Sequence, residues 1–122
     1  MFLVWMRSGP SKVNVASVSP RVLTPSGGYT HGVTFAWDTR KSAANLKKHG
    51  VEFREAATIF YDPLSTTFPD EAHSLLETRF ITIGISVGGR ILVVAHAEED
   101  DTIRIISARS ATRSETKFYE EN

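Results

Sequence analysis

Near Pro63 the spacing of apolar residues in this chain changes from a mainly helical period to a strand period. Val33-Thr34-Phe35-Ala36-Trp37 is a short apolar run that predicts a strand, and Asp38 follows it as a helix N-cap. The helix predicted over Thr39 to His49 stops at Gly50, the residue type best suited to a left-handed C-terminal position. Lys47, Lys48 and His49 fill its last turn, where positive charge meets the negative end of the helix dipole. Phe53, Ala56, Ala57 and Phe60 then recur at i, i+3, i+4 and i+7, a core-facing stripe that predicts a second helix over Phe53 to Phe60. Asp62-Pro63 ends it, because a residue before proline is pushed out of the helical region.

Beyond Pro63 the period shortens to two. Leu64 to Phe68 alternates and reads as a strand closed by Pro69, and Asp70 to Thr78 is a polar loop. Ile81, Ile83 and Ile85 share one face of a strand over Arg79 to Ser86, and Gly88-Gly89 turns the chain into Ile91 to Ala97. The acidic loop Glu98-Glu99-Asp100-Asp101 leads to a last strand from Thr102. Thr112-Arg113-Ser114-Glu115 is a capping box that opens a short terminal helix. The order β-α-α-β-β-β-β-α with hairpin links predicts an α+β fold: a mostly antiparallel sheet with helices packed on one face.

Residues 1 to 33 show no such period. Pro10, Pro20, Pro25 and Gly27-Gly28 punctuate a Ser- and Val-rich stretch, read as a flexible N-terminal arm with a short extended piece around Val13 to Val18. The predicted folded domain is residues 34 to 122. Charge sharpens the division: the arm carries Arg7, Lys12 and Arg21 without an acid, although the whole chain balances 14 basic against 14 acidic side chains. A neutral chain makes no case for binding nucleic acid by bulk charge, so any polyanion site is a local patch. No apolar run has the roughly 18 residues of a membrane span. The absence of cysteine removes thiolate metal sites and thiol nucleophiles, and the expected compartment is the cytoplasm.

Candidate chemistry gathers where the last strand meets the last helix. Arg104, Arg109 and Arg113 flank that junction, a grouping suited to a phosphate or a carboxylate because a guanidinium fork pairs two oxygens at once. Five residues separate Arg104 from Arg109, so a regular strand sends them to opposite faces. A shared site requires a bulge or an end near Ser107. Glu77 precedes Arg79 by two residues, either as a plain salt bridge or as a base beside a phosphate clamp. Lys48 and His49 read as helix C-terminal cations, and histidine also suits proton transfer near neutrality. His73 reads as a solvated loop residue. His96, Trp37 and Tyr119 read as core residues, and Thr112 and Glu115 as a cap. The histidines have no metal-ligand spacing and no Gly-rich loop precedes a helix, so neither a metal nor a cofactor is expected.

Several of these pieces together resemble the BrnT toxin family. They are Phe35-x-Trp37-Asp38, Asn45-x-x-Lys48-His49-Gly50-Val51-x-Phe53-x-Glu55-Ala56 and Phe60-x-Asp62-Pro63, followed by His73-Ser74-x-x-Glu77-x-Arg79-Phe80, Arg104-Ile105-Ile106-Ser107-Ala108-Arg109 and Thr112-x-x-Glu115-x-x-x-Tyr119. The resemblance spans about Thr34 to Asn122. It implies a RelE-like fold and a metal-independent endoribonuclease that arrests growth. It also implies a ribbon-helix-helix antitoxin of the BrnA type, which neutralises the toxin and supplies the only DNA contacts. For the site it implies Arg79, Arg104 and Arg109 as phosphate cations, with Lys48, His49 and Glu77 for proton transfer. One departure is the acidic run Glu99-Asp100-Asp101, where the family often carries a basic residue after the position of Glu98; acid there opposes RNA binding. The alternative is a non-catalytic module that pairs with the antitoxin as a co-repressor.

Overall fold

The computed structural model describes residues 13–16 and 33–121. Six strands form one sheet: β1 (Val13–Ala16), β2 (Thr34–Asp38), β3 (Thr66–Pro69), β4 (Arg79–Ile85), β5 (Ile91–Glu99) and β6 (Thr102–Ser110), in the spatial order β1-β2-β6-β5-β4-β3. Every neighbouring pair is antiparallel except β2 with β6. That parallel pairing follows from the long connection between the two strands, which includes α1 (Thr39–His49) and α2 (Phe53–Ala57). The remaining helix, α3 (Arg113–Glu120), follows β6.

Local chemistry sets the ends of α1 as its sequence requires. Asp38 Oδ1 accepts from the Arg40 and Lys41 amides at 2.8 and 3.3 Å, and Gly50 takes the left-handed conformation at φ 73° while its amide donates to Leu46 O. Within the helix, Asn45 is the one buried residue, and its amide is fully used. Nδ2 donates to Val51 O and Ala108 O at 2.9 and 2.8 Å, and Oδ1 accepts from the Ala108 amide at 3.2 Å. A buried side chain amide thereby ties α1 to the backbone of β6.

The main core lies between α1, α2 and one face of the sheet. Phe35, Trp37, Val51, Phe53, Ala56, Ala57, Ile59, Leu92, Val94, Ile105 and Ala108 make it up. Fully burying a side chain such as Phe53 contributes about 1.5–3 kcal/mol. The expectation of helices on one face fails for α3. Phe118 of that helix meets Phe68, which pairs with Ile81, and Ile81 points away from the core face that carries Phe80 and Thr82. The capping box starts α3 but does not say which face it crosses.

Three boundaries also differ from expectation. The second helix is α-helical only to Ala57 and tightens into a 3-10 turn over Thr58–Tyr61. Thr58 Oγ1 donates to Glu55 O at 2.6 Å, competing with the helix pattern, and Pro63 follows closely. Strand β3 begins at Thr66 because Asp62 Oδ1 and Asp62 O take the Leu64 and Ser65 amides in a turn. The acidic loop shrinks to Asp100-Asp101, since Glu98 and Glu99 continue β5 opposite Ile103 and Thr102. Of the predicted arm, Val13–Ala16 is a strand on the outer edge of β2; residues 1–12 and 17–32 lie outside the described residues.

Candidate functional site

The face of the sheet opposite the main core gathers most of the candidate residues, and a bulge makes that possible. Ala95 pairs with Ser107 but His96 pairs with Ile105, so Ile106 has no partner on β5. The extra residue shifts the alternation by one. Arg104 pairs with Ala97 and Arg109 with Val93, and these two positions on β5 share a face. Arg79 pairs with Ala97 from the other side, which aligns Arg104, Ala97 and Arg79 in one row across three strands. Their backbones are about 10 Å apart across the row, and Arg109 stands about 13 Å further along the sheet.

Glu77 is the centre of that row. Both of its carboxylate oxygens accept from Arg104 Nη2, and the Arg104 side chain is only 11% exposed. Arg79 Nε lies 3.6 Å from Glu77 Oε2, an ion pair without a hydrogen bond, and that buried nitrogen has no hydrogen-bond acceptor. A buried N–H without an acceptor is costly, and an anion placed on this row would satisfy it. Arg109 is engaged elsewhere: Nη1 and Nη2 donate to the two oxygens of Glu115 at 2.7 and 2.9 Å. The guanidinium, with the capping amide of Thr112, holds the Glu115 carboxyl down at about 2.

Lys48 and His49 are not brought to this row. They are exposed at the C-terminal end of α1, next to Gly50, whose carbonyl accepts from Arg90 Nη2 at 3.0 Å. Arg90 sits at the β4–β5 turn, seven residues from Ala97, or roughly 23 Å along β5. Arg90 also clamps Glu55, with Nε and Nη2 donating at 3.0 and 2.5 Å, and Ser86 Oγ adds a bond at 2.6 Å. This cluster joins α2 to the hairpin and lowers the Glu55 carboxyl through the Arg90 bond.

The loop before β4 contributes a residue whose sequence suggested only a solvated role. The Asp70 amide donates to Arg79 O at 2.9 Å, so Asp70 extends the β3–β4 ladder by one position and stands beside Arg79. His73 Nδ1 donates to the Asp70 carboxylate, at 3.1 Å from each oxygen. Ser74 locks the loop, since its hydroxyl donates to Asp70 O at 2.7 Å and accepts from the Arg79 amide at 3.0 Å. An Asp three residues before a His was the only signal in the sequence, and it is a common one.

His96 belongs to the core, as its apolar strand suggested. It is 0% exposed between the rings of Phe60 and Phe80, with Nε2 bonded to Thr82 Oγ1 at 2.7 Å. Burial pulls its pKa down to about 4. Among the described residues no group of three or more His, Asp or Glu side chains is arranged to hold a metal ion.

Comparison with known proteins adds a family to this geometry. Residues 37–115 match the model of the ribonuclease toxin BrnT of type II toxin–antitoxin systems. The crystal structure of the Brucella abortus ribonuclease toxin BrnT, at 1.1 Å resolution, is similar at 28% sequence identity and a TM-score of 0.50, covering 63% of this chain and 94% of that one. A search of curated proteins returned no match.

Proposed function

The chain belongs to the BrnT family of ribonuclease toxins of type II toxin–antitoxin systems, and from this we propose that it is a metal-independent endoribonuclease whose site is the Glu77–Arg79–Arg104 row. The observation that carries the assignment is the bulge at Ile106, which turns Arg104 and Arg109 toward the same face as Arg79 and Glu77. RNA cleavage without a metal needs a base for the 2′-hydroxyl and cations for the phosphorane charge. Glu77 is the base. Arg79 and Arg104 take the non-bridging oxygens, and a phosphate on this row offers Arg79 Nε–H the hydrogen-bond acceptor it lacks. Arg109 binds a phosphate further along the strand after exchanging Glu115 for it. Lys48 and His49, at the far end of the other layer, take no part at the same phosphate.

In the cell the activity would arrest growth, in a RelE-like fold acting in the cytoplasm. A BrnA-type ribbon-helix-helix antitoxin would neutralise it and hold any DNA contact of the pair. An antitoxin that covers the row competes directly with RNA, which gives neutralisation a simple steric and electrostatic basis.

The test is induced expression of the wild type and of Arg104→Ala, with purified protein assayed on RNA in the presence of EDTA. The wild type should arrest growth and cleave RNA with the chelator present, and Arg104→Ala should lose about 10²-fold or more in cleavage. Equal cleavage by both would remove Arg104 from the site. A wild type that neither cleaves nor arrests growth, yet binds its antitoxin, would instead favour the co-repressor module.

A further inference from the structure

We infer that His73, oriented by Asp70, is the general acid of the cleavage reaction, an assignment that rests on the ribonuclease reading of the Glu77–Arg79–Arg104 row. The row as described has a base and two cations but nothing to protonate the leaving oxygen. Glu77 cannot do both jobs in one step, and arginine keeps its proton at any working pH. The Asp70–His73 pair stands at the end of the same row, because Asp70 is the ladder partner of Arg79.

The two members of the pair are exposed very differently. The Asp70 side chain is 12% exposed and fixed by its ladder position, while the His73 side chain is 68% exposed. A covered carboxylate accepting from Nδ1–H fixes which ring nitrogen remains available, and here it is Nε2. With Nδ1–H held by Asp70, Nε2 is the ring position from which a proton can be given while that bond is kept. Ser74 adds rigidity, bridging the carbonyl of Asp70 to the amide of Arg79, so the turn that carries His73 is tied to the strand that carries the cation. The charged side chains on the elements that adjoin this turn are Asp70 and Glu71 on the turn itself, and Glu77 and Arg79 leading into β4.

The step balances as a transesterification. The 2′-oxygen bonds to phosphorus as its proton passes to Glu77, the bond from phosphorus to the 5′-oxygen breaks, and that oxygen takes the Nε2 proton of His73. The products are a 2′,3′-cyclic phosphate and a 5′-hydroxyl. Glu77 ends protonated and His73 neutral, and exchange with water resets both. Asp70 touches no reacting atom and acts as a positioning residue.

The experiment compares His73→Ala and Asp70→Asn with the full-length wild type on two substrates: ordinary RNA, and the same RNA with sulfur in place of the 5′-bridging oxygen at the cleaved linkage. A thiolate leaves without a proton, so loss of a general acid is hidden on that substrate. His73→Ala should lose about 10²–10⁴-fold in kcat on ordinary RNA with KM little changed, and return to within about tenfold of wild type on the sulfur-containing RNA. Asp70→Asn should show the same substrate dependence with a smaller loss on ordinary RNA, because the ring then loses the carboxylate that orients it. Wild-type rates for His73→Ala on ordinary RNA, or a defect of equal size on both substrates, would overturn the assignment while leaving the ribonuclease standing. A wild type inert on both substrates would overturn the ribonuclease and this role together.

Discussion

Among single residues, His96 shows how far a side chain can be taken from water when its partners are in place. Thr82 Oγ1 bonds both His96 Nε2 and, at 2.6 Å, Thr67 Oγ1, which makes a short polar line through the sheet from β3 to β5. The other nitrogen, Nδ1, lies 3.4 Å from Glu98 Oε2 without forming a hydrogen bond. Burial therefore outweighs the nearby carboxylate and keeps the ring neutral down to about 4, against an ordinary value of 6.5. The folded state then binds fewer protons than the unfolded chain between about pH 4 and 6.5, so stability rises with pH across that window and is lost on acidification through it. On the order of 3 kcal/mol is at stake. His96→Phe fills the same space between Phe60 and Phe80 and leaves Thr82 with Thr67. Its thermal unfolding midpoint should change much less between pH 6.5 and 4 than that of the wild type, and an unchanged pH dependence would show that the titration lies elsewhere.

Individual elements owe their placement to a few polar contacts, and α3 is the clearest case. None of its residues is buried. It is docked by the Arg109–Glu115 pair near its start, the edge-on contact of Phe118 with Phe68, and Tyr119 Oη, which donates to Asp62 Oδ2 at 2.6 Å. Asp62 also accepts the Ile85 amide on Oδ2 and the Leu64 amide on Oδ1, both at 2.9 Å. Tyr119→Phe removes one bond and should cost about 1 kcal/mol. Asp62→Ala strips the acceptor from three donors and should cost more, in chemical denaturation of each variant. Equal costs would mean that the backbone amides find water easily and that α3 alone feels the loss. The capping box of α3 and both ends of α1 were legible in the sequence because they are local, decided within four residues. The bulge in β6 was not. Thr102-Ile103-Arg104-Ile105-Ile106-Ser107 contains no glycine or proline to mark it, and the register is decided by β5, where Leu92, Val94 and His96 must all reach the main core. Arithmetic along the strand could state only the condition for one shared face.

Across the whole molecule, the candidate site depends on residues that are distant in sequence and adjacent only through the sheet: Asp70 and Arg79 through β3–β4, Arg79 and Arg104 through β5. Residue types in the loop at 70–78 gave no register, which is why His73 looked merely solvated. The same logic gives the arm a role outside the site. The strand Val13–Ala16 pairs antiparallel with Asp38 back to Phe35 and closes the outer edge of β2. An uncovered edge offers unpaired amides and carbonyls to another chain. A chain reduced to residues 33–122 retains the entire matched region and the main core. It should fold and cleave RNA as the full chain does. With β2 uncovered, however, it should form dimers or larger species as concentration rises, measured by light scattering after gel filtration. Restoring the arm with proline at both Asn14 and Val15, adjacent positions of which one must face β2, should leave the association in place. If the short chain stays monomeric wherever the full chain does, the strand is not guarding that edge. Loss of RNA cleavage without any change in association would instead tie the arm, with Arg7, Lys12 and Arg21, to the substrate.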